Sequence, residues 1–264
     1  MAKLSTSKTY VIAEAGCEHA GSIERAKELI DVATYAEADC VKFQLFYPEE
    51  VGEKVWNRIK DFHLSASGMN VLRSYAKNLG IDFLCSAFGM HSLEEISAMG
   101  CKAVKVPAPC NENIEYLVDA VRRFNKVFVS LGMCTGDQFY TILERTPWPD
   151  RKTIEFLHCT SAYPCPYDQV NLNVLNTTWK GSLIYSGLSD HTLGINIPLA
   201  AVALGARVIE KHFTLGYGPD ADMALTPEEL LGMVRGIRQV EQAMGDGIKR
   251  IEESERELLC RKTL

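Results

Sequence analysis

The 264-residue chain predicts an α/β protein, a single-domain TIM (β/α)8 barrel. Three observations predict it. Short β-branched runs alternate with helical stretches from end to end, the length suits one barrel of about 250 residues, and no Gly-rich dinucleotide loop is present. An open doubly wound sheet is the alternative, but it rarely runs to eight regular units without such a loop.

The strands are expected at Tyr10–Ala13, Cys40–Gln44, Phe83–Ser86, Ala103–Val106, Val127–Leu131, Glu155–Cys159, Leu183–Gly187 and Val208–Lys211. Each is a short apolar run of the kind that fills a parallel sheet. Apolar residues at helical spacing fill the gaps: Ile23 to Ala36, Met69 to Leu79, Leu93 to Met99, Ile114 to Phe124, Gln138 to Leu143, Leu172 to Trp179, Ile195 to Leu204 and Pro227 to Met244. Ser22 precedes the first helix. Thr226-Pro227-Glu228-Glu229 opens the last with a cap, a first-turn proline and acids at the positive dipole end. The barrel is expected over 1–244. A charged arm or truncated linker over 245–264 carries no predicted fold.

Composition excludes several classes. A net charge of −6 and a pI near 5.6 leave no electrostatic footprint for nucleic acid or an anionic membrane. No apolar run is long enough to span a bilayer, and Met1 to Tyr10 has no signal-like apolar core. Nine scattered cysteines without CxxC pairs read as reduced thiols, so a cytoplasmic location is expected.

In this barrel class, chemistry collects where strands end. His191, in Ser189-Asp190-His191, and His212, in Glu210-Lys211-His212, close neighbouring strands. Neutral imidazoles on rigid strands suit a divalent metal with open positions, and ordinary hydrogen bonding at strand ends is the plain alternative. Glu14 ends the first strand, and Lys42 and Gln44 share one face of the second. Lys42 and Lys105, with the hydroxyls of Ser86, Ser130 and Ser189, describe a phosphate or carboxylate cradle. Alternatively each lysine snorkels outward or pairs with a structural acid such as Glu14 or Glu210. Cys110 could serve as a nucleophile, but beside Pro109 it reads more simply as packing. His19 and His158 fit hydrogen bonding as readily as substrate contact.

Six segments then carry a resemblance: Val11 to Gly16, Asp39 to Gln44, Leu157 to Thr160, Tyr163 to Tyr167, Gly187 to Gly194 and Val202 to Thr214. Together they resemble the N-acetylneuraminate (sialic acid) synthase family, in order, from about Tyr10 to Arg250. The resemblance implies a transferase that condenses phosphoenolpyruvate with an N-acylated amino sugar or another aldose, giving a 2-keto-3-deoxy sugar acid and phosphate. It implies Mn2+ or Mg2+ held by His191 and His212, and proton handling by Glu14. Lys42, Lys105, Ser86, Ser130 and Ser189 would hold phosphoenolpyruvate. Gln44, Tyr163 and Asp220 would lie near the sugar, with Ser161 and Asp190 as further substrate contacts.

The sequence departs from the family at Ala108, where a hydroxyl is usual, at Cys110, where a carboxylate is usual, and at Ser161, where asparagine is usual. One lost charge-assisted hydrogen bond to phosphate costs about 1.5–3 kcal/mol. After Gly218-Pro219-Asp220 the chain reads Ala221-Asp222-Met223 and lacks the basic and histidine residues usual there. Family members normally continue into an antifreeze-like C-terminal domain that lends an arginine to the partner subunit. Here Gly245 to Arg250 resembles that linker. A homodimer is implied, or a separate lid-bearing subunit. Two other readings stand beside the synthase: a non-catalytic or partner-dependent barrel, and a lyase or aldolase using Lys42 or Lys105 as a Schiff-base nucleophile.

Overall fold

In the computed structural model, which describes residues 8–146, 154–179 and 182–259, eight parallel strands close into a barrel. They are β1 (Tyr10–Gly16), β2 (Cys40–Leu45), β3 (Asp82–Ala87), β4 (Ala103–Val106), β5 (Lys126–Ser130), β6 (Ile154–Cys159), β7 (Tyr185–Asp190) and β8 (Val208–His212). Strand β8 closes on β1, pairing Ile12 with Glu210 and Glu14 with His212. Seven helices pack outside: Ile23–Tyr35, Ala66–Leu79, Met90–Ala98, Ile114–Arg123, Gly136–Arg145, Asn196–Ala203 and Pro227–Met244. The Ser22 cap and the Thr226–Glu229 capping box form as expected.

Strand alternation sorts the interior into rings. Ile12, Cys40, Leu84, Phe128, Leu157 and Val208 form an apolar plug, with Tyr10 and Ala103 packed against it. Moving two positions along each strand from Ile12, Cys40, Leu84, Ala103, Phe128, Leu157, Gly187 and Val208 reaches a second ring. It contains Glu14, Lys42, Ser86, Lys105, Ser130, Cys159, Ser189 and Glu210, all buried. The period of two in a strand makes both rings face inward. Gly187 lets β7 into the lower layer, since a Cβ there would lie 1.8 Å from the Val208 carbonyl oxygen. The outward faces (Val11, Val41, Val104, Val127, Ile209 and their neighbours) build the main core beneath the helices.

Two expectations need correction, and two segments are helical where no element was expected. Leu172 to Trp179 does not form an α-helix. A 3-10 turn covers Leu172–Asn176, and Thr178–Trp179 pairs antiparallel with Ser182–Leu183. Asn171 starts this turn with φ 51, a left-handed conformation that asparagine tolerates, and Thr177-Thr178 favours extended backbone. The seventh strand begins at Tyr185 and runs through Asp190, because Leu183 belongs to that small hairpin. The segment after β2 carries two unforeseen helices, Pro48–Val51 and Glu53–Ile59. Glu253–Leu259 within the charged arm is also helical.

Candidate active site

The second ring is a charge network. Glu14 Oε2 lies 2.7 Å from Lys42 Nζ, which donates to Ser86 Oγ at 2.8 Å and lies 3.8 Å from Glu210 Oε2. Lys105 Nζ sits 2.9 Å from both Glu210 oxygens, and Ser189 Oγ donates to Glu210 Oε1 at 2.8 Å. The four ionic groups alternate in sign, so the buried set carries no net charge. Neither lysine snorkels outward: each meets an internal acid, Glu14 or Glu210, within the ring. Burial opposes the Lys42 ammonium, but Glu14 and Glu210 outweigh it and raise its pKa. For Lys105, burial and the repulsion of Lys42 prevail over Glu210, and its pKa falls. Glu210 resists the same burial because Lys105 and Lys42 flank it, which holds its carboxyl well below the ordinary range.

Above this ring sit the residues two positions further on. Gln44 Nε2 donates to Glu14 Oε1 at 2.8 Å. The ring centroids of His191 and His212 lie 5.5 Å apart, and Tyr163, more than half exposed at the mouth, lies tilted over His191 with centroids 4.2 Å apart. His191 Nδ1 is 2.9 Å from the Thr160 carbonyl, which fixes a tautomer with the proton on Nδ1. Burial, then His212, depresses the His191 pKa to about 4, so this imidazole is neutral near pH 7. Burial also opposes charge on His212, but Asp220, with Oδ2 3.2 Å from Nδ1, and Glu14 raise its pKa. Ser161 approaches Gly132 closely: a Cβ there would lie 2.3 Å from Ser161 Oγ and 3.2 Å from Ala108 Cβ. Ser130 is buried in the charged ring's layer.

Asp190 lies elsewhere. One position beyond Ser189, it faces the helix side of the wall, 2.6 Å from Lys211 Nζ, and accepts from Thr192 Oγ1 at 2.9 Å. It holds the sheet to its outer shell and does not reach the mouth. Asp190→Asn is therefore expected to lower stability by about 3–5 kcal/mol, the cost of leaving Lys211 buried and unpaired. Ligand affinity in the folded protein should not change. Denaturant unfolding beside a ligand titration checks this, and weakened binding at full stability would restore Asp190 to the site.

Two residues outside the expected site also shape it. Glu210 anchors both lysines. Glu18, fully buried in the loop after β1, accepts hydrogen bonds from Thr214 Oγ1, from Gly218 N at 3.2 Å and from Asp220 N at 3.0 Å. A Cβ on Gly218 would lie 2.3 Å from Glu18 Oε1, so only glycine allows this approach. Glu18 thus places Asp220 against His212.

For a divalent ion, the donor chemistry fits in part. Two buried imidazoles face each other, and neither His212 Nδ1 nor Glu14 Oε2 has an aligned hydrogen-bond partner among the described residues. Their contacts to Asp220 and Lys42 are ionic. No group of three His, Cys, Asp or Glu side chains is spaced as a metal cage among the described residues. Such a pair suits an open site completed by water and substrate.

A family model, that of the NeuB family, matches residues 29–249. The chain belongs to the NeuB family. Among its NeuB-type relatives is the N,N'-diacetyllegionaminic acid synthase of Campylobacter jejuni, 36% identical across 94% of this chain and 81% of that enzyme. The N-acetylneuraminate-9-phosphate synthase of Homo sapiens is 33% identical across 92% of this chain and 73% of its own length. The crystal structure of N-acetylneuraminic acid synthetase from Leptospira borgpetersenii, in complex with citrate, superposes with a TM-score of 0.86 at 28% identity. It covers 98% of this chain and 93% of that one. No helix among the described residues is long and apolar enough to cross a membrane.

Proposed function

We propose that this NeuB-family barrel is a transferase that condenses phosphoenolpyruvate with an amino sugar or related aldose, giving a 2-keto-3-deoxy sugar acid and phosphate. The observation that carries this reading is the buried ring Glu14–Lys42–Glu210–Lys105 directly beneath the His191–His212 pair. Lys42 and Lys105, with Ser86, Ser130 and Ser189, hold the phosphate and carboxylate. The internal acids keep both ammonium groups in place before any anion arrives, and such preorganisation is where binding energy becomes rate. Gln44, Tyr163, Ser161 and Asp220 position the sugar. Glu14 accepts or donates the proton at the aldehyde oxygen or the attacking water, and its bond from Gln44 aims one carboxylate oxygen at the mouth.

His191 and His212 would hold the divalent ion, which would supply Lewis acidity at the aldehyde oxygen. Two imidazoles suit Mn2+ better than Mg2+, which prefers oxygen ligands. The protein would act in the cytoplasm, and a homodimer is the proposed assembly.

Calorimetric titration of phosphoenolpyruvate with and without manganese tests this reading. Saturable, manganese-enhanced binding is expected. No binding at millimolar phosphoenolpyruvate would overturn it. One observation favours a second reading: burial lowers the Lys105 pKa, as a Schiff-base lyase requires. Cyanoborohydride trapping that leaves the protein mass unchanged would remove this alternative.

A further inference from the structure

Between β4 and β5 the barrel wall has a seam that strand pairing does not close up to the mouth. Pairing of the two strands ends where Val106 meets Val129. Beyond that point Leu131 N still donates to Leu157 O of β6, at 3.0 Å. Backbone groups alternate sides along a strand, so the carbonyls of Ser130 and Gly132 turn to the β4 side. There the backbone runs short of donors. Pro107 and Pro109 have no N–H. Cys110 N and Asn111 N donate back into their own turn, to Pro107 O at 3.0 Å and Ala108 O at 3.3 Å.

The Asn111 side chain makes up the shortage. Its Nδ2 donates to Ser130 O and to Gly132 O, both at 3.0 Å, and the residue is buried. One amide group stands in for the strand that has ended, since a buried carbonyl left without a donor is costly. The segment it holds is confined and would not hold itself. A Cβ on Gly132 would lie 2.3 Å from Ser161 Oγ, 3.1 Å from Cys159 Sγ and 3.2 Å from Ala108 Cβ. Met133 follows with φ 56, a left-handed conformation that a Cβ disfavours, and its side chain is 64% exposed and gains little packing. The Asn111 bond to the Gly132 carbonyl orients the peptide that leads into this strained residue. Ser130, two positions earlier, belongs to the ring. Ala108, across the seam, has no polar side-chain atom, so Ser130 is the hydroxyl of this seam.

We propose that Asn111 is a positioning residue for the anion cradle. By fixing the end of β5 it sets the Ser130 hydroxyl toward phosphoenolpyruvate before the anion arrives. The inference rests on the phosphoenolpyruvate reading and names a residue outside the ring that makes one of its hydroxyls effective. Asn111 acts only through the strand end that its amide holds.

The test is calorimetric titration of phosphoenolpyruvate into the full chain, Ser130→Ala, Asn111→Ala and the double variant. Ser130→Ala should weaken binding about 10–150-fold, the worth of one hydrogen bond to a charged group. Asn111→Ala should weaken it about tenfold or more. The double variant should bind as Ser130→Ala does, because Asn111 then has no hydroxyl left to position. A residue that only stabilised the fold would leave the affinity of folded protein unchanged. Asn111→Leu fills the same space without a donor, should behave as Asn111→Ala does, and carries the test where the smaller side chain costs the fold. Affinity in either folded variant within about threefold of the unaltered chain overturns the proposal and keeps the reaction. A full second loss on top of Ser130→Ala does the same. An unaltered chain that binds no phosphoenolpyruvate overturns the reaction, and the positioning role falls with it.

Discussion

Glu210→Ala is expected to destabilise the barrel by about 3–5 kcal/mol, a large part of the 5–15 kcal/mol typical of a folded protein. Both Glu210 oxygens lie 2.9 Å from Lys105 Nζ, Lys42 is at 3.8 Å, and Ser189 donates a third contact. Without the carboxylate, two ammonium groups share a low-dielectric interior with only Glu14 between them. Denaturant unfolding reads the loss directly, and a change below about 1 kcal/mol would contradict this account of the ring. The double variant Glu210→Leu/Lys105→Met should be less destabilised than Glu210→Ala, because the uncompensated charge disappears with its partner. The pH dependence has a definite sign. The folded-state pKa of Glu210 is depressed, so its contribution is complete above the unfolded carboxylate value. It is lost as pH falls through the lower folded value.

Glu14→Gln is expected to reduce phosphate release by about 10^2–10^4-fold, the usual loss when a positioned general acid or base is removed. Phosphoenolpyruvate affinity should change little, since Lys42 keeps Glu210 and Ser86 as partners. The amide retains the size of the carboxylate and one acceptor for Gln44, so the fold should survive. Steady-state kinetics with a parallel binding titration separate the two effects. A variant retaining more than a tenth of its turnover would remove Glu14 from the proton-transfer role.

Much of this site was legible in the sequence because a strand's period of two is strict. Lys42 and Gln44 share a face, as do Glu210 and His212, and the eight apolar runs fix which polar residues close each strand. The same rule excludes Asp190 from the mouth once Ser189 points inward, since adjacent positions occupy opposite faces. The start of the seventh strand was hidden because Leu183-Ile184 is as apolar as any barrel run. Only pairing decides that Leu183 turns back on Thr178. The Pro48–Val51 and Glu53–Ile59 helices are too short for periodicity to reveal. Glu18 had no local signal at all: its three donors lie in a loop that meets it only through the closed ring.

That separation has a consequence for the timing of synthesis. Glu18 and Asp220 are 202 positions apart, and Glu14 meets His212 only across the last seam to close. At the 5–20 residues per second of a working ribosome, the first strand waits roughly 10–40 s for its partner. Until β8 emerges, no nascent chain can assemble the pocket, however much of the barrel has already folded. Ligand capture by ribosome-bound chains would therefore report ring closure itself, and the same seam, on opening, would erase the site before the remaining strands part.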